Sequence, residues 1–191
     1  MKPIHVLLSL VLASSACGHD HDEASAPAGV LYEGDSTDEA WVAIDEAPLV
    51  TNDDQAPRLT APTSIDRTLT VPPAFSWTSG ALASLERRSP ARRQLARSSF
   101  FGALIAPPVA RAHLPPVTGD QYRLVLSLGS GDPIRVLTGM TTWTPNENAW
   151  SRIVAAPGPI TLELVGAYLM SGRVTEGPYV ASEPTTIPFA E

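Results

Sequence analysis

Proline and glycine interrupt this sequence so often that little room is left for long helices. Nineteen prolines and thirteen glycines are spread over 191 residues, and both residue types are typical of turns. The runs between them are short and rich in Val, Thr, Leu and Trp, which favours β-strands. Hydrophobic residues make up 43% of the chain, enough for a core. Because Cys17 is the only cysteine, no intramolecular disulfide is available and packing must hold the fold.

Alternating apolar runs predict an all-β fold. The clearest is Gln121 to Leu128, in which every second residue from Tyr122 onward is apolar and Arg123 lies on the opposite face. We predict an antiparallel β-sandwich of about seven short strands. Apart from this run, the predicted strands are 68–71, 74–77, 134–137, 141–144, 149–155, 160–168 and 185–189.

Four short motifs of the predicted strand region are typical of a known type of β-module. They are Val71 followed by two prolines, Phe75-Ser76-Trp77, Tyr122-Arg123-Leu124, and Leu162 to Tyr168 before the Gly177-Pro178 turn. In these motifs the chain resembles a fibronectin type III or related immunoglobulin-like module, over residues 67–79 and 119–191. The resemblance implies a β-sandwich with Trp77 in its core. Such modules mostly bind or space other domains, although a fold alone assigns no specific function.

An Arg-rich insertion separates the predicted second and third strands. It spans about residues 80–118, which is long for a loop without structure of its own. A serine cap and a proline favour a helix over 90–105, with Arg92, Arg93 and Arg97 largely off its apolar face. Three interpretations remain open: this helix covers one end of the sandwich, it contacts a membrane or partner, or it binds nucleic acid. We rank nucleic acid last, since no stacking-aromatic motif accompanies the arginines.

The first sixteen residues have the three regions of a secretory signal peptide. Lys2 supplies a positive charge, Ile4 to Ala13 is an apolar run, and small residues follow. The apolar run is about half of the roughly 20 residues that a membrane-spanning helix needs. We therefore predict export through a signal at 1–16.

Small residues lead directly into the lone cysteine. Ser15 and Ala16 precede Cys17, and Ser14 stands before them. Over its first eighteen residues the chain resembles a bacterial lipoprotein precursor, although that family usually has a large aliphatic residue at the position of Ser14. The resemblance implies that Cys17 becomes an acylated N-terminus. The alternative is ordinary cleavage after Ala16 or Ala26, which would release a soluble exported protein.

Negative charge is concentrated between the signal and residue 66. From Gly18 to Asp66, twelve acidic residues accompany one basic residue, Arg58, whereas the remainder has eight acids and eleven arginines. We predict a disordered acidic tether over 17–66 and a folded domain over 67–191. The tether's apolar spots, Trp41 to Ile44 and Leu49-Val50, could add a strand to a sheet edge or dock a partner, but we rank a stray hydrophobic patch in a disordered arm above both.

Few residues suited to catalysis occur in the predicted domain. His113 is its one histidine, and no Gly-x-Ser-x-Gly motif supplies a nucleophilic serine. Zinc sites of the usual Cys and His types are excluded by inventory there, and we interpret His19 to Glu23 as a hydrophilic spacer. Glu147, Glu163 and Glu176 could form a carboxylate pair only at a suitable separation. We expect no enzyme activity, no metal and no cofactor.

These features together favour a monomeric, lipid-anchored binding or structural module of the cell envelope. Its expected partners are the membrane, through acylated Cys17, and an envelope protein or glycan. Gly18 lacks the aspartate that retains some lipoproteins at the inner membrane, so the outer membrane is favoured by analogy. The alternative is a secreted carbohydrate-binding or enzyme-accessory domain. The candidate contact residues are Trp143, Trp150, Arg92, Arg93 and Arg97.

Overall fold

The computed structural model describes residues 25–80 and 115–190, and this part of the chain is mostly β. Neither helix in these two ranges is long and apolar enough to cross a membrane. The elements are β1 Val30–Glu33, α1 Asp38–Glu46, β2 Val50–Thr51, β3 Arg58–Ala61, β4 Phe75–Thr78, β5 Gly119–Ser127, β6 Ile134–Thr138, β7 Thr142–Trp143, α2 Glu147–Val154, β8 Ile160–Met170, β9 Arg173–Val180 and β10 Thr185–Ile187.

The strands form two sheets, and the larger one is mixed. Its order is β1-β6-β5-β8-β9-β2, with β10 paired to β8. The pairs β1–β6 and β2–β9 are parallel. All pairs among the other strands, β6–β5, β5–β8, β8–β9 and β8–β10, are antiparallel. The smaller sheet, β3-β4-β7, is antiparallel. The all-β class is therefore consistent with the structure, but a purely antiparallel arrangement is wrong, because the two strands that precede β3 run parallel to their partners.

The main core lies between the two sheets. The smaller sheet contributes Phe75 and Trp143, whose ring centroids are 5.4 Å apart. Trp77 meets Tyr122 of the larger sheet edge to face, with 5.7 Å between centroids, a favourable geometry for aromatic pairs. Helix α2 adds Ile153 to the same core. The expected core position of Trp77 is confirmed, since its side chain is 4% exposed.

The second face of the larger sheet is covered by α1. Thr37 caps this helix by accepting a hydrogen bond from the backbone N–H of Ala40, and two acidic residues in the first turn favour the positive end of the helix dipole. Trp41 and Ile44 lie one turn apart on a single face, and both are buried against the sheet. The burial of these side chains supplies the stabilising free energy that an isolated helix of nine residues lacks.

The predicted disordered tether over 17–66 is wrong for residues 30–66, which form β1, α1, β2 and β3. Acidic composition indicates disorder only when the apolar residues have no surface to pack on, and here the larger sheet provides one. The possibility that Val50 adds a strand to a sheet edge is confirmed by its pairing with Tyr179. Residues 17–24 lie outside the described part.

Three local predictions are corrected. Of residues 149–155, predicted as a strand, 149–154 belong to α2 and Ala155 caps it, because Asn146 starts a helix by accepting from the N–H of Ala149 at 2.9 Å. Residues 68–71 form no strand, since the Asp66 carboxylate accepts from both the backbone N–H and the hydroxyl of Thr68 and closes a turn. Gly177-Pro178 lies inside β9 rather than in a turn, and β9 itself was not predicted.

The strongest predicted strands are confirmed. The alternating run from Gln121 is β5, and its alternate apolar residues Tyr122, Leu124, Leu126 and Leu128 join the main core. Residues 134–137 form β6, the hairpin partner of β5. The long run from Ile160 is β8, which extends to Met170. The predicted strands at 74–77, 141–144 and 185–189 are present, with shifted or shorter bounds, as β4, β7 and β10.

Asp53 ties the turn after β2 to the segment after β9. Its carboxylate accepts a hydrogen bond from the backbone N–H of Ser182 at 3.0 Å and another from the Ser182 hydroxyl at 2.9 Å. These two hydrogen bonds stabilise the charged form and lower the pKa of Asp53 below its ordinary value of 3.8. The contact joins residues 129 positions apart in the chain.

We predict that Ile44→Ala lowers the free energy of unfolding of the mature chain by about 2–5 kcal/mol. The side chain is fully buried beneath α1, so its truncation leaves a cavity in a folded layer. Chemical denaturation followed by circular dichroism measures the loss. Leu49→Ala, at a side chain that is half exposed, is the matched control and should change stability little. Equal, small effects of both substitutions would contradict the folded position of α1.

The Asp53 contact predicts a specific dependence of stability on pH. A carboxyl whose pKa is lowered by folding stabilises the protein above its unfolded-state pKa, and that contribution is lost as the pH falls through the folded-state pKa. We expect Asp53→Asn to be less stable than the wild type at pH 7, with the difference closing below about pH 4. Urea denaturation across a pH series measures this. Asp54→Asn is the control, and a difference that stayed constant with pH would refute the prediction.

Candidate functional site

The most distinctive polar centre in the described chain is a guanidinium buried between α1 and the larger sheet. Arg123 lies on β5, and its side chain is 8% exposed. Its Nη1 donates to Asp45 Oδ1 of α1 at 2.5 Å, and its Nη2 donates to Glu163 Oε1 of β8 at 3.3 Å. The guanidinium carbon is 5.7 Å from the ring centroid of Trp41, within the usual range of a cation–π contact. We call these four residues the Arg123 centre.

The strand register explains how this centre forms. Residues 122, 124 and 126 of β5 face the main core, so Arg123 must face α1. On the adjacent strand β8, Glu163 pairs with Val125, one step along the same face. Asp45 lies one turn after Trp41 on α1, and both residues reach the guanidinium. One buried cation on β5 thus contacts two further secondary-structure elements, α1 and β8.

The two carboxylates of the Arg123 centre lie at the edge of the covered face. The side chains of Asp45 and Glu163 are 60% and 45% exposed, so water solvates them while they accept from Arg123. A buried charge is costly unless it is paired, and here both partners are present. The arrangement orients and holds α1.

Several buried polar atoms around α1 lack a hydrogen bond of good geometry. They are the Nε of Arg123, the Nε1 of Trp41 and the hydroxyl of Tyr32. Burial, followed by the nearby Asp38, raises the pKa of Tyr32, so this phenol stays neutral. An unsatisfied buried group is destabilising, and the main core also holds one, the Nε1 of Trp77.

Two clefts lie beside α1, next to residues 115 and 116 at the start of the second described range. One, of about 580 Å³, is bounded by the Gly34–Thr37 turn and by residues 115–121. Its wall is fixed by a buried hydrogen bond of 2.7 Å from the Ser36 hydroxyl to Gln121 Oε1. The other, of about 880 Å³, runs along Val42 and Ala43 of α1. Both clefts are bordered by Pro115 and Pro116.

The tryptophans proposed as ligand contacts are in the core. Trp143 is 2% exposed and Trp150 is 8% exposed, with the Nε1 of Trp150 donating to the carbonyl of Leu69. Trp41 and Trp77 are buried as well. The ring faces that a carbohydrate would stack on are therefore covered, and this result corrects the hypothesis of exposed tryptophans.

The other predicted site residues have mixed outcomes. Cys17, Arg92, Arg93 and Arg97 all lie outside the described residues. Of the three glutamates considered as a carboxylate pair, Glu163 belongs to the Arg123 centre, while Glu147 opens α2 and Glu176 lies on β9. Across 25–80 and 115–190, no group of three His, Cys, Asp or Glu side chains could hold a metal ion.

Comparisons of the chain with protein-family models, with curated proteins and with solved structures gave no match.

The sequence analysis missed the Arg123 centre, although one signal for it was present. An arginine in the middle of a nine-residue strand, opposite a fully apolar face, indicates either an open polar face or a covered face with a paired charge. The covering element, α1, had been interpreted as part of the tether. Without α1, neither Asp45 nor the burial of Arg123 could be inferred.

We predict that the double variant Asp45→Asn/Glu163→Gln loses about 3–5 kcal/mol of unfolding free energy, because it leaves a buried guanidinium without counter-charges. Arg123→Met should cost less, since the two half-exposed carboxylates can then be solvated by water. Urea denaturation ranks the three proteins. The control is Asp54→Asn/Glu183→Gln, which neutralises two exposed carboxylates and should alter stability little. If Arg123→Met were the more damaging change, the interpretation of the centre as a buried charge held by its acids would be wrong.

Proposed function

We propose that this chain is an exported, lipid-anchored binding or structural module of the cell envelope, without catalytic activity of its own. The observation that carries the proposal is the opening stretch. A charged residue, an apolar run and small residues lead directly to Cys17, the only cysteine in the chain. An exported cysteine with no partner for a disulfide is most simply explained as an acylation site.

The internal use of charge supports a role in binding or structure. Arg123, the one charged side chain that is buried among the described residues, is engaged by Asp45 and Glu163 and thereby attaches α1 to the sheet. Catalytic groups instead need a free, correctly protonated atom facing a substrate. A module that binds or spaces other molecules needs only a stable scaffold and a surface.

The fold that accompanies this proposal is a β-sandwich of the fibronectin type III or immunoglobulin-like kind. Its support is that the two sheets share one apolar core, to which β4 contributes Phe75 and Trp77 and β5 contributes Tyr122. The parallel pairing of β1 with β6 and of β2 with β9 departs from the usual antiparallel pattern of such domains.

The anchor and the folded part are close in the chain. Described structure begins at Ser25, eight positions after Cys17, and a fully extended chain advances about 3.5 Å per residue. An acylated Cys17 would therefore hold Ser25 within about 28 Å of the membrane surface. The folded domain would therefore lie near the lipid, without a long acidic spacer between them. The outer membrane is the one favoured by Gly18.

The anchor has a direct test. In bacteria expressing the full precursor, we expect the wild-type protein in the membrane fraction and Cys17→Ser in the soluble exported fraction. Intact mass spectrometry of the wild type should show a chain that starts at Cys17 and carries acyl groups. Ser15→Ala, which keeps a small residue beside the cysteine, is the matched control and should fractionate as wild type. An unmodified N-terminus at another residue would disprove the lipid anchor.

A further inference from the structure

A cleft of about 660 Å³ lies at one end of the larger sheet, away from the Arg123 centre. Its walls are the β5–β6 turn, the C-terminal end of α2, and residues 27–29, which lead into β1. This volume is within the usual range of small-molecule sites. Two arginines line it, Arg135 from β6 and Arg152 from α2, and we call it the arginine cleft.

We propose that the arginine cleft binds a carboxylate ligand with a small apolar substituent, such as the free C-terminus of a peptide. Guanidinium groups bind carboxylates through paired, charge-assisted hydrogen bonds, which makes arginine the usual residue for this recognition. The proposal deepens the binding role proposed above, but it does not depend on the anchor at Cys17.

The first argument is that both guanidiniums lack a counter-charge. Within residues 25–80 and 115–190, Arg135 makes no hydrogen bond or ion pair. Arg152 uses one nitrogen to donate to the backbone carbonyl of Asp132, and no carboxylate pairs with it in the same ranges. Arg123, by contrast, is held by two acids. Two unpaired cations in one cleft are notable in a chain whose net charge is −7.

The second argument is that the end of the Arg152 side chain is already held in place before any ligand binds. Both are half-buried, and the contact with the Asp132 carbonyl anchors the end of the Arg152 side chain. A binding group that is already positioned loses less conformational entropy on association. Burial also weakens the screening of the guanidiniums by salt, compared with a fully exposed arginine.

The third argument concerns the charge and size of the ligand. Asp132 also lines the arginine cleft, so the three ionisable residues of its lining have a formal net charge of +1, which one carboxylate neutralises. Leu128, Ala156 and Pro27 supply apolar wall. Gly131 has a φ of 74° and an added Cβ would meet nothing within 4 Å, so the turn leaves the mouth open.

The test uses the mature chain carrying Cys17→Ser, titrated by calorimetry with N-acetyl-alanyl-alanine and with its C-terminal amide. We expect the acid to bind at least about tenfold more tightly than the amide, since hydrogen bonds to charged groups contribute on the order of a factor of ten or more. Propionate tests a free organic acid, and weaker binding of propionate would assign the site to peptide termini. Equal binding of acid and amide, no binding of either carboxylate, or tighter binding of inorganic phosphate would overturn the proposal.

Substitutions locate the binding to the cleft. Arg135→Gln and Arg152→Gln should each weaken binding of the acid about tenfold or more, whereas Arg173→Gln, an exposed arginine outside the arginine cleft, should not. Asp132→Asn should tighten binding, because it removes the one negative side chain in the cleft; a misfolded variant could not give this result. Unchanged affinity in all three cleft variants would refute the assignment. Loss of the lipid anchor in fractionation would leave these affinities unaltered, so the two proposals fail separately.

Discussion

The pairing of Arg123 with acids from two different elements is the interaction on which the arrangement of this protein depends. The larger sheet has two faces to bury. One is covered by the smaller sheet and α2, and the other by α1. On that second face, a single guanidinium contacts Asp45 on the helix and Glu163 on the adjacent strand. Apolar contacts alone would let a short helix slide or rotate, whereas a paired charge fixes its register.

Strand β8, which carries Glu163, pairs with more strands than any other described strand of the larger sheet. It pairs with β5 on one side and with β9 and β10 on the other. Its alternate residues contribute to both clusters: Leu162 lies in the main core, and Val165 and Leu169 lie beneath α1. The two layers therefore share this strand, which contributes side chains to the core on both faces of the larger sheet.

The sequence predicted those parts of the fold whose signals are local. The alternation in β5 and β8 is long enough to identify each strand and its buried face, and a turn between Leu128 and Ile134 identifies the hairpin. It did not predict α1 or α2. Each is short, and each depends on a cap together with a sheet face formed by distant residues. The Arg123 centre was hidden for the same reason, since a buried ion pair is recognisable only when both covering elements are known.

The parallel edge pairs set the order in which this chain can fold. Both flanking strands of the larger sheet, β1 and β2, come from the N-terminal part, and their partners β6 and β9 come roughly a hundred residues or more later. A strand cannot pair before its partner has been synthesised, so the N-terminal third must wait for the C-terminal hairpins. A polypeptide with this topology remains unfinished until nearly all of it has emerged.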